Sequence, residues 1–169
     1  MKTKIFYILF LFFFIVIPLT GYGNNTNTKD YYQNLLDLAR KEYLDRNYVK
    51  ALEYLSEVNL FAKNNNRIDL QLKALNNLGI VYTDMLDYPK AIDCFSEGYT
   101  LAIKENEKVS EMKFLNNIGA VYQADNKVLK ANEYTERAYK LALQQKDSIM
   151  IAFYEVNLAL LANRMGNVE

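Results

Sequence analysis

The chain has 169 residues, 51% of them hydrophobic, with 20 basic and 20 acidic side chains and no histidine. The balanced charge, with no basic stripe, argues against nucleic acid as a partner. The missing histidine removes the commonest general base and metal ligand. The single cysteine, Cys94, has neither a disulfide partner nor a histidine to activate it.

In chain order, Lys2 and Lys4 precede an apolar run from Ile5 to Ile17, followed by Pro18, Thr20, Gly21 and Gly23. A basic start, a short apolar core and a small-x-small site describe a signal peptide over residues 1–23, cut after Gly23. An uncleaved anchor is the alternative, and would be the chain's only tie to a membrane. The apolar run is shorter than the ~20 residues a spanning helix needs. No cysteine follows it, which excludes a lipoprotein anchor. Without Lys2 and Lys4 the remainder carries 18 basic and 20 acidic side chains, a net charge of −2. Residues 24–30 are expected to be a disordered leader.

Beyond residue 30 the sequence repeats itself. Lys73-Ala74-Leu75-Asn76-Asn77-Leu78-Gly79-Ile80-Val81-Tyr82 returns forty residues later as Lys113-Phe114-Leu115-Asn116-Asn117-Ile118-Gly119-Ala120-Val121-Tyr122. Lys90-Ala91 pairs with Lys130-Ala131, and Tyr99, Leu101 and Ala102 pair with Tyr139, Leu141 and Ala142. A fixed period of this kind signals a stack of supersecondary units. Leu75, Leu78, Gly79 and Tyr82 share one helical face, and Ala91, Cys94, Phe95, Gly98, Ala102 and Ile103 form a second helical stripe. Between them Asp87-Tyr88-Pro89 makes a turn, with Pro89 in the first turn of the following helix. A weaker copy comes earlier, at Leu35, Leu38-Ala39, Tyr48, Ala51, Leu55 and Val58, and it departs from the pattern at Glu42. A fourth begins near Asp147, aligning Asn157-Leu158-Ala159 with Asn117-Ile118-Gly119.

The spacing Leu75, Leu78-Gly79, Tyr82, Ala91, Phe95, Gly98 resembles the tetratricopeptide repeat. The second copy matches at Leu115, Ile118-Gly119, Tyr122, Ala131 and Ala138, with Thr135 where an aromatic is usual and Tyr134 beside it. The period exceeds the usual 34 residues by six, and the final proline is absent. The resemblance implies an all-α solenoid of antiparallel helical hairpins in a right-handed superhelix, behind the signal peptide. Its repeats would cover 32–71, 72–111, 112–151 and a partial 152–169. The signature residues Leu75, Gly79, Tyr82, Ala91, Phe95, Leu115, Gly119, Tyr122, Ala131 and Ala138 should be core, and Cys94 a small core residue rather than a reactive thiol.

Function should then lie in binding, with no catalytic residues, metal or cofactor. In such a stack the first helix of each pair lines the inner wall. The stripe opposite the core face carries Lys73, Asn76, Asn77, Ile80 and Asp84, and then Lys113, Asn116, Asn117, Ala120 and Ala124. The candidate binding residues are Lys73, Asn76, Asn77, Asp84, Lys113, Asn116, Asn117 and Gln123. Mid-helix asparagines are not explained by propensity. Their amides suit an extended peptide backbone, and the two lysines suit acidic groups or a terminal carboxylate. The alternative is that these amides set the packing between repeats, and both readings stay open. The Asn-Asn-Leu-Gly pattern looks like peptide- and cargo-binding members of the family. The chaperone-tail clamp is not matched, since Ile80 and Ala120 stand where it places asparagine.

The last helix carries Ile149, Ile151, Phe153, Val156, Leu158, Leu160 and Leu161, which is apolar on more than one face. That suggests either the front of a longer array or a helix that docks on a partner, self-association included. The reading is an exported bacterial adaptor or scaffold for a protein or extended peptide. A sensory input portion of a longer membrane-bound regulator is the alternative.

Overall fold

The structure, a computed structural model, describes residues 26–166, so the signal peptide expected at 1–23 lies outside the described residues. Seven helices follow one another, with no strand among the described residues. They are α1 (Thr26–Leu44), α2 (Tyr48–Asn64), α3 (Ile68–Asp84), α4 (Tyr88–Lys104), α5 (Lys108–Ala124), α6 (Val128–Gln145) and α7 (Ser148–Gly166). Helix α1 starts at Thr26, so residues 26–30 are helical where a disordered leader was expected. The hairpins likewise begin at 68, 108 and 148 rather than at 72, 112 and 152. The loops between helices are two or three residues long, so the residues beyond a 34-residue period lengthen the helices.

The turns follow a period half that of the sequence repeat. Arg46, Asn66, Leu86, Asn106, Asn126 and Lys146 all have φ between 52° and 62°, twenty residues apart each time. After each, a backbone N–H reaches back five residues: Asn47 to Glu42 at 2.8 Å, Arg67 to Ala62 at 2.8 Å, Asp87 to Tyr82 at 2.9 Å. The same bond recurs at Glu107, Lys127 and Asp147. This is the Schellman closure, in which a left-handed residue lets the chain reverse while the last carbonyls stay bonded. Within-repeat and between-repeat turns are therefore the same device. Asparagine tolerates the left-handed region and leucine does not. Leu86 is also 70% exposed, so no packing compensates it. Leu86→Gly should raise the unfolding free energy by about 0.5 kcal/mol, as the relieved left-handed strain outweighs glycine's greater chain entropy. A urea titration checks this.

Helix starts add local support. The Asp87 carboxylate accepts from the backbone N–H of Lys90 at 3.3 Å and pairs with its ammonium at 2.7 Å. That ammonium holds the Asp87 carboxyl below its ordinary range. Asp147 accepts from the N–H of Met150 at 3.1 Å.

The core is a row of three apolar clusters rather than one centre, as expected where each hairpin touches only its neighbours. The first joins α1, α2 and α3 through Leu35, Ala39, Leu55, Val58, Ala74 and Leu78. The second joins α3, α4 and α5 through Leu75, Ala91, Phe95, Phe114 and Ile118. The third joins α5, α6 and α7 through Met112, Leu115, Ala138, Leu141 and Tyr154. Cys94 packs half-buried beside the first cluster, and burial pushes its thiol up to about 11.

Small residues set the helix approach. A Cβ on Gly79 would fall under 3.0 Å from the Phe95 ring, and one on Gly98 would do the same against Phe114. At Gly119 the nearest atoms would be the Thr135 hydroxyl at 3.2 Å and the Ala131 carbonyl at 3.3 Å. Thr135 thus takes the place that Phe95 holds one repeat earlier and fills less of it. Its hydroxyl donates to the Ala131 carbonyl at 2.9 Å. Tyr134 beside it turns to the Tyr122 ring, centroids 5.4 Å apart, with the Arg137 guanidinium 4.9 Å from its own centroid.

The signature tyrosines Tyr82 and Tyr122 are half-buried, unlike the other signature residues, which are buried. Each sits under a lysine one turn into the next helix, Lys90 at 5.3 Å and Lys130 at 5.2 Å. In the first hairpin Glu42 stands at that position and binds Lys50 at 3.1 Å and the Asn47 amide at 2.9 Å. Those two partners, the Asn47 amide first, hold the Glu42 carboxyl below its ordinary range. The departure at Glu42 exchanges a cation–π contact for an ion pair with the same lysine register.

Candidate functional site: the inner wall

Helices α1, α3 and α5 form one wall, because the first helix of each hairpin lies beside its equivalent in the next. Side chains at forty-residue intervals therefore stand side by side. Two hollows run along this wall. One of about 340 Å³ is lined by Gln33, Leu36, Asp37, Arg40 and Tyr43 of α1, Lys73, Asn76, Asn77 and Ile80 of α3, and Lys113 of α5. The other, about 520 Å³, lies between the starts of α3 and α5, at Arg67, Asp69, Leu72, Glu107, Ser110 and Phe114. Lys73, Asn76 and Lys113 line both, so the hollows form one groove.

Both lysines are exposed, and neither is ion-paired among the described residues. In the first hollow Arg40, Lys73 and Lys113 face a single carboxylate, Asp37. In the second, Arg67 pairs with Asp69 at 3.4 Å. With Glu107, the joined lining holds four cations (Arg40, Arg67, Lys73 and Lys113) against three carboxylates (Asp37, Asp69 and Glu107), and the two unpaired lysines stand at its middle.

The asparagines divide between the two readings. Asn76 is only 5% exposed. Its carbonyl oxygen accepts from the Asn117 amide at 2.9 Å, and its own amide donates to the Asn77 carbonyl oxygen at 3.2 Å. Asn76 is thus a tie between α3 and α5 that floors the groove, not a free rung. Asn77 and Asn117 are half-buried and share that chain, and Asn116 is half-buried on the same face. Asn76→Ala would remove the acceptor of the half-buried Asn117 amide, which water can then reach, and should lower stability by about 0.5–1.5 kcal/mol. Asn116→Ala should change it by about 0.5 kcal/mol or less. Paired urea melts measure the contrast.

Asn116, Asn117, Asp84 and Gln123 line neither hollow. Asp84 is taken by Tyr43, whose hydroxyl donates to it at 2.7 Å across α1 and α3. That hydrogen bond, with burial, pushes the Tyr43 phenol up to about 12 and keeps it a donor. Gln123 is half-buried near the end of α5. The sequence reading missed the α1 side of the groove because the first copy is weak. Subtracting forty from Lys73, Asn76, Asn77 and Ile80 gives Gln33, Leu36, Asp37 and Arg40, and all four line the hollow.

Among the described residues no group of three His, Cys, Asp or Glu could hold a metal ion. None of the described helices is long and apolar enough to cross a membrane. These features define an all-helical array of stacked hairpins with a polar inner groove that holds two unpaired lysines. Residues 70–144, which run from α3 to α6, match the family model of the tetratricopeptide repeat. Hairpins of that kind form scaffolds for protein–protein interaction. No curated protein matches the chain.

Proposed function

We propose that the protein is a non-catalytic binding module, exported as an adaptor or scaffold, whose inner wall holds an extended protein segment bearing acidic groups. The observation that carries this is the joined groove across α1, α3 and α5, with Lys73 and Lys113 unpaired at its centre. An extended segment brings backbone donors and acceptors that match the half-buried amide of Asn77, which lines the groove. Its carboxylates would find the two lysines without first breaking an ion pair. The basic start, apolar core and small residues of 1–23 support export.

The test is selection of a displayed random-peptide library on the full chain, followed by Lys73→Glu with Lys113→Glu. Selected peptides should be rich in Asp and Glu, and the double reversal should weaken them by about tenfold or more. Its exposed positions leave the helical signal and melting temperature unchanged. Unaltered binding to the double variant would remove the groove from the account.

A further inference from the structure

Helix α7 presents three faces, and the neighbouring repeat identifies each. Tyr154 and Leu161 are buried, and the Tyr154 hydroxyl donates to the Met112 carbonyl of α5 at 3.3 Å. Tyr154 stands forty residues after Phe114, which packs on Gly98 of the preceding helix, so this face looks back into the array. A second face holds Ala159, forty residues after Gly119, the point where α5 meets its own partner helix α6. The third face carries Ile149, Phe153, Val156 and Leu160, exposed by 75%, 45%, 59% and 56%. These lie within about 60° of one another on the helix.

This third face has a defined place in the fold. Phe153, Val156 and Leu160 fall forty residues after Lys113, Asn116 and Ala120, so they continue the inner wall. The wall therefore changes chemistry along its length, from cations and amides on α3 and α5 to a bare apolar strip on α7. A strip this exposed along one helix face needs a partner to be explained. Adjacent packed helices lie about 8–10 Å apart, and an extended chain advances about 3.3 Å per residue. One step along the wall thus corresponds to about three residues of ligand.

We propose that Phe153, Val156 and Leu160 form the apolar end of the groove. The ligand is an extended peptide whose acidic element lies along Lys73 and Lys113 and which carries a large apolar side chain about three residues beyond Lys113, seated on α7. This rests on the peptide-binding reading above and specifies its ligand. Lys73 and Lys113 are unpaired cations and select the acidic element. The strip on α7 carries no charge and selects the apolar one.

The experiment uses the full chain and short Gly/Ser peptides carrying Asp-Asp, with Phe, Leu or Ser placed two to four residues to either side. Binding is read by fluorescence anisotropy, and oligomeric state by sedimentation. In the wild type, Phe or Leu should tighten binding by about tenfold over Ser at one spacing. Leu160→Ser, and separately Val156→Ser, should abolish that gain and leave the Ser peptide's affinity unchanged. If Asp-Asp peptides bind and the apolar residue adds nothing, this inference falls while the groove reading stands. If no acidic peptide binds, both fall. If the α7 variants turn a dimer into a monomer with peptide affinity unaltered, the strip is a contact between copies of this chain and the inference is overturned.

Discussion

Replacing Phe114 by alanine lowers the stability of the array by about 3–5 kcal/mol, the range for a fully buried aromatic removed from a well-packed site. Phe114 is 1% exposed. Its ring covers the bare backbone at Gly98, and it meets the Phe95 ring with centroids 6.4 Å apart at 53°. Those contacts join one hairpin to the next, so the loss falls on a junction rather than within a single repeat. In a stack stabilised by nearest-neighbour terms, weakening one junction should separate the two flanks. Hydrogen exchange should show protection in α5 and α6 falling away from that in α2 and α3, beyond the drop in the overall urea midpoint. A single transition with uniform loss of protection would mean that the array behaves as one cooperative unit.

Gly79→Ala and Gly98→Ala should each destabilise by about 1–3 kcal/mol, although alanine is the better helix former by about 1 kcal/mol. The added methyl would enter the Phe95 ring in one case and the Phe114 ring in the other. Both rings are themselves buried, so withdrawing either would disturb the side chains packed around it. Gly119→Ala is the control, because its neighbours stand at 3.2 Å and beyond and the nearest is a threonine hydroxyl. There the helix preference should prevail, leaving stability unchanged or raised by up to about 1 kcal/mol. Thermal melts of the three variants decide it. Equal effects at all three glycines would mean that helix propensity rather than ring contact governs them.

The forty-residue period made the helices and their order legible, because large and small residues recur at fixed spacing on two faces. The twenty-residue period of the turns was not legible. It is a property of backbone dihedrals, and the six left-handed positions carry Arg, Asn, Leu, Asn, Asn and Lys. The starts of α3, α5 and α7 are not legible either, since the residues before them, Arg67, Glu107 and Asp147, share no capping residue type. At the site, the face holding Lys73 and Lys113 followed from helical periodicity. The role of Asn76 did not, because its partner Asn117 lies in the next repeat and only the stacking angle brings the two amides together. The Tyr43–Asp84 hydrogen bond is of the same kind. The strip on α7 reads in sequence as a helix apolar on several faces. Only the burial of Tyr154 and Leu161 separates its packed face from its exposed one.

The claim that the inner wall is the binding surface is tested most directly by amide chemical-shift mapping of a library-selected peptide on isotopically labelled protein. The account predicts perturbations along the inner faces of α1, α3 and α5, centred on Arg40, Lys73, Asn77, Ile80 and Lys113. Perturbations confined to the outer helices α2, α4 and α6, with those residues silent, would contradict it.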